Sequence, residues 1–198
     1  MGGSFDPIHT GHVASAREAR DRFELDKVVY LPTATPPHKS DSAMAPAHRR
    51  YAMVELALLY EEGLEVSPFE LTPGRTAYTI DSVESFAYEF PQADLHLLIG
   101  ADSLVQLPTW KRWRELTEWA HLIVLARPGW EREPSLEELP TELTDLVRDE
   151  RIRFLGNRPR AISSTEIRAA LARGERPRAG WLPGLVLDYC LKYRLYIA

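Results

Sequence analysis

At 198 residues, the chain is about one domain long and can bury a core without disulfide or metal staples. Its 44% hydrophobic and 27% charged residues exclude a disordered chain, and no apolar run approaches the ~18 residues of a membrane span. A net charge of −5 argues against bulk binding of nucleic acid, and the single cysteine, Cys190, excludes a disulfide framework or a multi-cysteine zinc site and fits a reducing, cytoplasmic setting.

His12 to Phe23 carries alanines and charges without proline, with Val13, Ala16 and Ala19 on one stripe, and predicts a helix. Lys27 to Leu31 is a β-branched and aromatic run stopped by Pro32, as in a buried strand. The stretch from Pro32 to Ala45 is too long for a simple connector and predicts a functional loop, after which Pro46 suits the first turn of a helix to about Glu62. Leu64 to Phe69 reads as a short strand, and Thr79 as the cap of a helix over Ile80 to Phe90 with Asp81 in its first turn.

Leu95 to Ile99 is the next strand. A tryptophan-rich helical stretch follows, then a strand from His121 to Ala126. Glu137 to Val147 predicts a helix, Ile152 to Leu155 a strand, and Ser164 to Ala172 a helix closed by Gly174; Pro183 opens the last helix. Strands separated by helices of this length predict an α/β, Rossmann-like fold with a doubly wound parallel sheet. One domain spans 1–198, its C-terminal part from about 163 helical. Ligands in such folds sit beyond the carboxyl ends of the strands. Residues 131–150 are acid-rich and 151–178 arginine-rich, which suits solvated faces with some guanidinium groups turned to an anion.

Two segments carry chemistry. Gly2-Gly3-Ser4-Phe5-Asp6-Pro7-Ile8-His9-Thr10-Gly11-His12 is a glycine turn feeding a helix, with His9 and His12 three apart on one face. Gly11 leaves room for a ligand, and the helix start offers N–H groups to an anion. A His-x-Gly-His match arises by chance about 0.01 times in a chain of this composition. A zinc site is the weaker rival, lacking a third ligand at a familiar spacing. The second segment is Ile162-Ser163-Ser164-Thr165-Glu166-Ile167-Arg168. Ser163 and Glu166 form a capping-box pattern, while Ser164, Thr165 and Arg168 supply hydroxyls and a guanidinium suited to a polyphosphate.

The two segments together resemble the nucleotidyltransferases that carry a His-x-Gly-His motif. Pro36-Pro37-His38-Lys39, Ala77 to Asp81, Ile99 to Ser103, Pro108-Thr109-Trp110 and Ala126 to Gly129 narrow the resemblance to the bacterial nicotinate-nucleotide adenylyltransferases, over nearly the whole chain. That resemblance implies transfer of AMP from ATP to nicotinate mononucleotide, giving deamido-NAD and pyrophosphate. The attacking phosphate oxygen is already anionic, so alignment and charge stabilisation suffice without a covalent intermediate.

By the same resemblance, His9, His12 and Arg168 are catalytic, while Gly3, Ser4, Phe5, Gly11, Lys39, Gly100, Asp102, Ser164 and Thr165 bind ATP. Mg2+ enters through the ATP phosphates, with no dedicated protein metal site. Trp110 matches the position that stacks on the pyridine ring, and Thr79 and Lys111 match positions whose backbone holds the nicotinate carboxylate; relatives often carry an aromatic residue where Lys111 stands. Trp113 and Trp119 are expected in the core, His38 to serve either phosphate contact or loop structure, and His48, His96 and His121 to be structural. The partners expected are ATP and nicotinate mononucleotide, with neither nucleic acid nor membrane.

Pantetheine-phosphate adenylyltransferases share both motifs but typically have threonine where His9 stands. A nicotinamide-mononucleotide enzyme would differ in reading an amide. A non-catalytic nucleotide-binding module is disfavoured by the intact motif pair. A tRNA-synthetase-like fragment lacks both an extension and a basic charge. The family also carries a strand of roughly six residues before the first glycine, where only Met1 stands here. The expectation is a chain that naturally begins several residues earlier.

Overall fold

The computed structural model describes residues 1–34, 44–71, 78–127, 129, 133–157 and 160–197. The chain divides into two compact units, one of residues 2–76 with 161–198, the other of Met1 with 77–160.

In the first unit, strands β1 (Gly2–Gly3), β2 (Val28–Pro32) and β3 (Leu64–Val66) form a parallel sheet in the order β1-β2-β3. Gly2 pairs with Leu31 and Val28 with Leu64. Helices α1 (Thr10–Arg22) and α2 (Ala47–Leu58) provide the crossovers. Ile8, Ala16, Tyr30, Met53, Ile167, Val186 and Cys190 are fully or almost fully buried, each of the larger ones contributing about 1.5–3 kcal/mol by leaving water.

The second unit holds β4 (His96–Gly100), β5 (His121–Leu125) and β6 (Ile152–Phe154), again parallel and in that order. Its helices are α3 (Thr79–Glu89), α4 (Ala101–Leu104), α5 (Trp113–Trp119) and α6 (Thr141–Arg148). Leu122 to Leu125 are all buried, as expected of a parallel strand covered on both faces. Around them lie Ile80, Leu104, Leu107, Trp113, Leu116 and Leu143.

The last two helices, α7 (Ser164–Ala172) and α8 (Gly184–Lys192), belong to the first unit, where α8 packs on α2. Gly174, at φ 71°, closes α7 with the bonds Gly174 N–H to Leu171 O and Glu175 N–H to Ala170 O, the Schellman pattern that favours glycine.

Several local expectations change. Pro46 and Pro183 stand one residue before their helices, with extended ψ of 143° and 141°, not inside the first turn. Thr79 is the first residue of α3, and Tyr78 precedes it without a side-chain cap bond. The tryptophan-rich stretch breaks into α4, a 3-10 turn at Leu107–Thr109 and α5, and Arg112, left-handed at φ 53°, separates that turn from α5. Residues 137–147 divide between a 3-10 turn and α6 around Pro140. Trp113 is core, but Trp119 is 40% exposed and rests on Tyr88 with ring centroids 5.8 Å apart. Among the described residues, no helix is long and apolar enough to cross a membrane.

Candidate functional site

The first unit brings the two predicted motifs together. Gly3 ends β1, and a Cβ there would lie 3.0 Å from the Phe5 ring, so glycine lets Phe5 fold back under the turn. Phe5 itself is buried at φ 45° and meets His12 edge-on at 5.3 Å and Tyr30 at 5.4 Å. Ser4 lends its carbonyl to Arg50 Nη1 at 2.7 Å. Gly11 is buried in the first turn of α1.

His9 caps α1. The His12 backbone N–H donates to His9 Nδ1, and the His9 backbone N–H donates to His12 Nδ1, both at 3.3 Å. The rings stack at 3.7 Å, 21° from parallel. An Nδ1 that accepts must carry no hydrogen, so each neutral ring holds its proton on Nε2. The reciprocal cap therefore selects the Nε2–H tautomer in both rings. The α1 start is tied further by Thr10, whose N–H reaches Trp181 O at 2.9 Å and whose hydroxyl reaches Gly180 O at 2.6 Å.

The second motif grips the first. Ser164 Oγ donates to Pro7 O at 3.0 Å, and Arg168 Nη1 donates to Asp6 O at 2.7 Å. Arg168 Nη2 donates to Thr165 Oγ1 at 3.3 Å. Ser163 is the N-cap of α7 but makes no side-chain cap bond, so the expected capping box with Glu166 does not form. The first-turn hydroxyls are engaged instead by Pro7, for Ser164, and by Arg168 one turn on, for Thr165.

Three residues that the sequence did not single out complete this region. Asp6 is 1% exposed and accepts from Ala45 N–H and from the Tyr196 hydroxyl. Arg50 is also 1% exposed and donates to Ser4, Thr33, Ala34 and Ala45 carbonyls. Burial lowers the pKa of its guanidinium, and the charge of Asp6 opposes that shift. Asp6 lay inside the first motif, but Arg50 beside Arg49 and Tyr196 near the C-terminus carried no signal. Lys39 and His38 fall outside the described residues.

The second unit gathers the other predicted residues. Gly100 ends β4, and a Cβ there would lie 2.3 Å from Asp102 Oδ1 and 2.8 Å from Arg127 Nε. Both side chains thus fold across a glycine at a strand's carboxyl end; Arg127 lies within the Ala126 to Gly129 segment, for which the sequence predicts no site role. Trp110 ends the 3-10 turn, its N–H bonded to Leu107 O at 2.9 Å, and packs partly against the core. The neighbouring Lys111 has its Nζ 4.1 Å from the Tyr78 ring centroid and 3.8 Å from Asp81 Oδ1. Thr79 opens α3 between Tyr78 and Asp81.

The remaining histidines divide. His48 is exposed on α2. His96 and His121 begin adjacent strands and stack at 5.4 Å. Arg153 Nη2 lies 2.6 Å from His96 Nε2 and Arg151 Nη1 3.0 Å from His121 Nε2, so two arginines of the basic stretch meet histidines. Burial lowers the pKa of His96. Among the described residues, no three His, Cys, Asp or Glu side chains are grouped to hold a metal ion. The lone thiol of Cys190 is buried against Met53, and burial pushes its pKa up to about 12.

Residues 1–170 match the cytidylyltransferase-like family. A protein of Pseudomonas paraeruginosa, named as a probable nicotinate-nucleotide adenylyltransferase, is 42% identical over 212 residues, covering 100% of this chain and 96% of its own length. One of Corynebacterium glutamicum with the same name is 36% identical over 196 residues, covering 99% and 86%. Among solved structures, the Plasmodium falciparum nicotinic acid mononucleotide adenylyltransferase complexed with NaAD superposes with a TM-score of 0.78 over 98% of this chain and 94% of that one. At 20% identity that likeness establishes the Rossmann-like fold. The chain belongs to the cytidylyltransferase-like family, and within it to the nicotinate-nucleotide adenylyltransferases.

Proposed function

From that membership we propose that the chain transfers AMP from ATP to nicotinate mononucleotide, releasing pyrophosphate and giving deamido-NAD in NAD biosynthesis. A phosphate oxygen of the mononucleotide attacks the α-phosphorus of ATP, the new P–O bond forms, and the bond to the β-phosphate oxygen breaks. No proton has to leave the nucleophile, so the protein's work is alignment and charge stabilisation.

The observation that carries the phosphate assignment is the grip of the second motif on the first. Through it, two Nε2–H imidazoles and a tethered guanidinium share one region of the first unit. His9 and His12 act on the α- and β-phosphates, where Nε2–H donors meet charge that grows as pyrophosphate departs. Ser164, Thr165 and Arg168 serve the β- and γ-phosphates, with Lys39 as a further cation. Gly3, Ser4, Phe5 and Gly11 shape the turn beneath ATP, and Gly100 and Asp102 also serve ATP, Asp102 at a ribose or at the phosphate-bound metal. Trp110 stacks on the pyridine ring, and Thr79 and Lys111 hold the nicotinate carboxylate.

Mg2+ bound to ATP would neutralise phosphate charge. Such an ion would be held mainly by substrate oxygens and water. Parallel assays of AMP transfer from ATP to nicotinate mononucleotide, nicotinamide mononucleotide and pantetheine phosphate test the assignment. The first acceptor should show the highest kcat/KM, and preference for another overturns it. Chelation of Mg2+ should abolish transfer, and unchanged turnover would remove the ion from the mechanism.

A further inference from the structure

Asp6 has no part in the chemistry proposed above, yet it is a carboxylate almost wholly removed from water. Its Oδ1 accepts from two donors that come from distant segments, Ala45 N–H at 3.1 Å and the Tyr196 hydroxyl at 2.6 Å. Oδ2 is equally buried, makes no hydrogen bond among the described residues, and lies 3.7 Å from Arg168 Nη1. The same Nη1 donates to the carbonyl of Asp6, while Nη2 is bonded to Thr165 Oγ1. Arg168 is thereby held at two nitrogens, with its side chain still 25% exposed.

We propose that Asp6 and Tyr196 are positioning residues for AMP transfer: the Asp6 carboxylate aims the Arg168 guanidinium at the ATP phosphates, and the Tyr196 hydroxyl fixes the carboxylate that does so. This rests on the reading that Arg168 acts on ATP. Asp6 also feels the charge of Arg50, whose own nitrogens are engaged by carbonyls, and the ion pair of Oδ2 is with Arg168. A buried carboxylate gains by that pairing, so Asp6 draws Arg168 toward one rotamer. An arginine side chain has about 2 kcal/mol of rotamer entropy to lose, and losing it before ATP arrives removes that cost from binding and transfer. Two donors converging on Oδ1 leave the direction of Oδ2 determined. Burial, then the charge of Asp6, raises the pKa of Tyr196, so its hydroxyl stays a donor through the working pH range.

The test is a double-variant cycle on the full chain, with Tyr196→Phe, Arg168→Ala and the pair assayed for AMP transfer and thermal midpoint. Tyr196→Phe should lower kcat/KM for ATP about tenfold, the worth of one hydrogen bond to a charged group. It should leave KM for nicotinate mononucleotide unchanged and add less than about twofold once Arg168 is gone. A full multiplicative loss in the double variant overturns the positioning role and leaves that of Arg168 standing. So does a parallel rise in KM for the acceptor, or an unaltered Tyr196→Phe enzyme. A fully active Arg168→Ala enzyme overturns the role of Arg168 and the proposal with it. Should Tyr196→Phe not fold, Asp6→Asn keeps the shape and an acceptor for Tyr196 while removing the charge, and is judged by the same criteria.

Discussion

Replacing Arg50 by lysine tests whether one buried guanidinium holds the turn of the first motif in place. Its Nε donates to Ala45 O at 3.0 Å, Nη1 to Ser4 O at 2.7 Å, and Nη2 to Thr33 O and Ala34 O at 2.6 and 2.9 Å. These carbonyls belong to three segments, and the planar fork reaches all of them from three separate nitrogens. A lysine ammonium donates from one point and can satisfy one of the three directions, leaving at least two buried or half-buried carbonyls without this donor. At about 1–3 kcal/mol for each unsatisfied group, the loss is about 3 kcal/mol. In a chain of this size that lowers the thermal midpoint by about 6–12 °C. Circular-dichroism melts of Arg50→Lys and wild type at one pH measure it. A shift below about 2 °C would show that the carbonyls find other donors and that the fork is not what holds the segments.

His12→Ala should still bind ATP but lose turnover by several orders of magnitude, read by comparing ATP affinity with single-turnover transfer; near-normal turnover would remove His12 from the chemistry. Gly100→Ala should fold, because φ −75° and ψ 154° suit alanine. Its methyl must displace Asp102 and Arg127, so KM for ATP should rise about tenfold with little change in melting, and an unchanged KM would separate these side chains from ATP. His96 should make stability depend on pH. Its folded pKa lies below the ordinary 6.5 because of burial, with Arg153 and His121 opposing its charge and Asp94 favouring it. The unfolded chain therefore takes the proton first, and stability falls as pH drops through that window. Urea midpoints between about pH 7.5 and 5.5 should fall more for wild type than for His96→Gln, and equal falls would count against this.

The elements most legible in the sequence were those with strong local chemistry. Helix α7 begins and ends where Ser164, Ala172 and Gly174 predict, since a left-handed glycine closes it whatever surrounds it. Strand β5 follows from an uninterrupted apolar run. The tryptophan-rich stretch reads as helical, but its division into α4, a 3-10 turn and α5 is not legible, because periodicity does not reveal a left-handed residue such as Arg112. In the site, motif residues were visible because their spacing is rare. Arg50 and Tyr196 were not, because their partners are backbone carbonyls or a residue 190 positions away, and neither leaves a local pattern.

The two histidines show why local rules failed where the chemistry lies. A serine or aspartate at position 9 would cap α1 as well as His9 does, by accepting the N–H of residue 12. Neither would place an Nε2–H beside a second one. Because each Nδ1 accepts the other residue's backbone N–H, the bonds that begin the helix also decide where each ring keeps its proton. The cap and the donor set are then one arrangement, and a substitution that restores only the first separates them. His9→Asp should therefore keep the helix start, holding the thermal midpoint within about 4 °C, a cap's worth of about 1 kcal/mol. The same change should lower transfer by 100-fold or more, about the value of one lost charge-stabilising donor. Full activity in a folded His9→Asp protein would mean that the tautomer selected by the reciprocal cap has no part in the reaction.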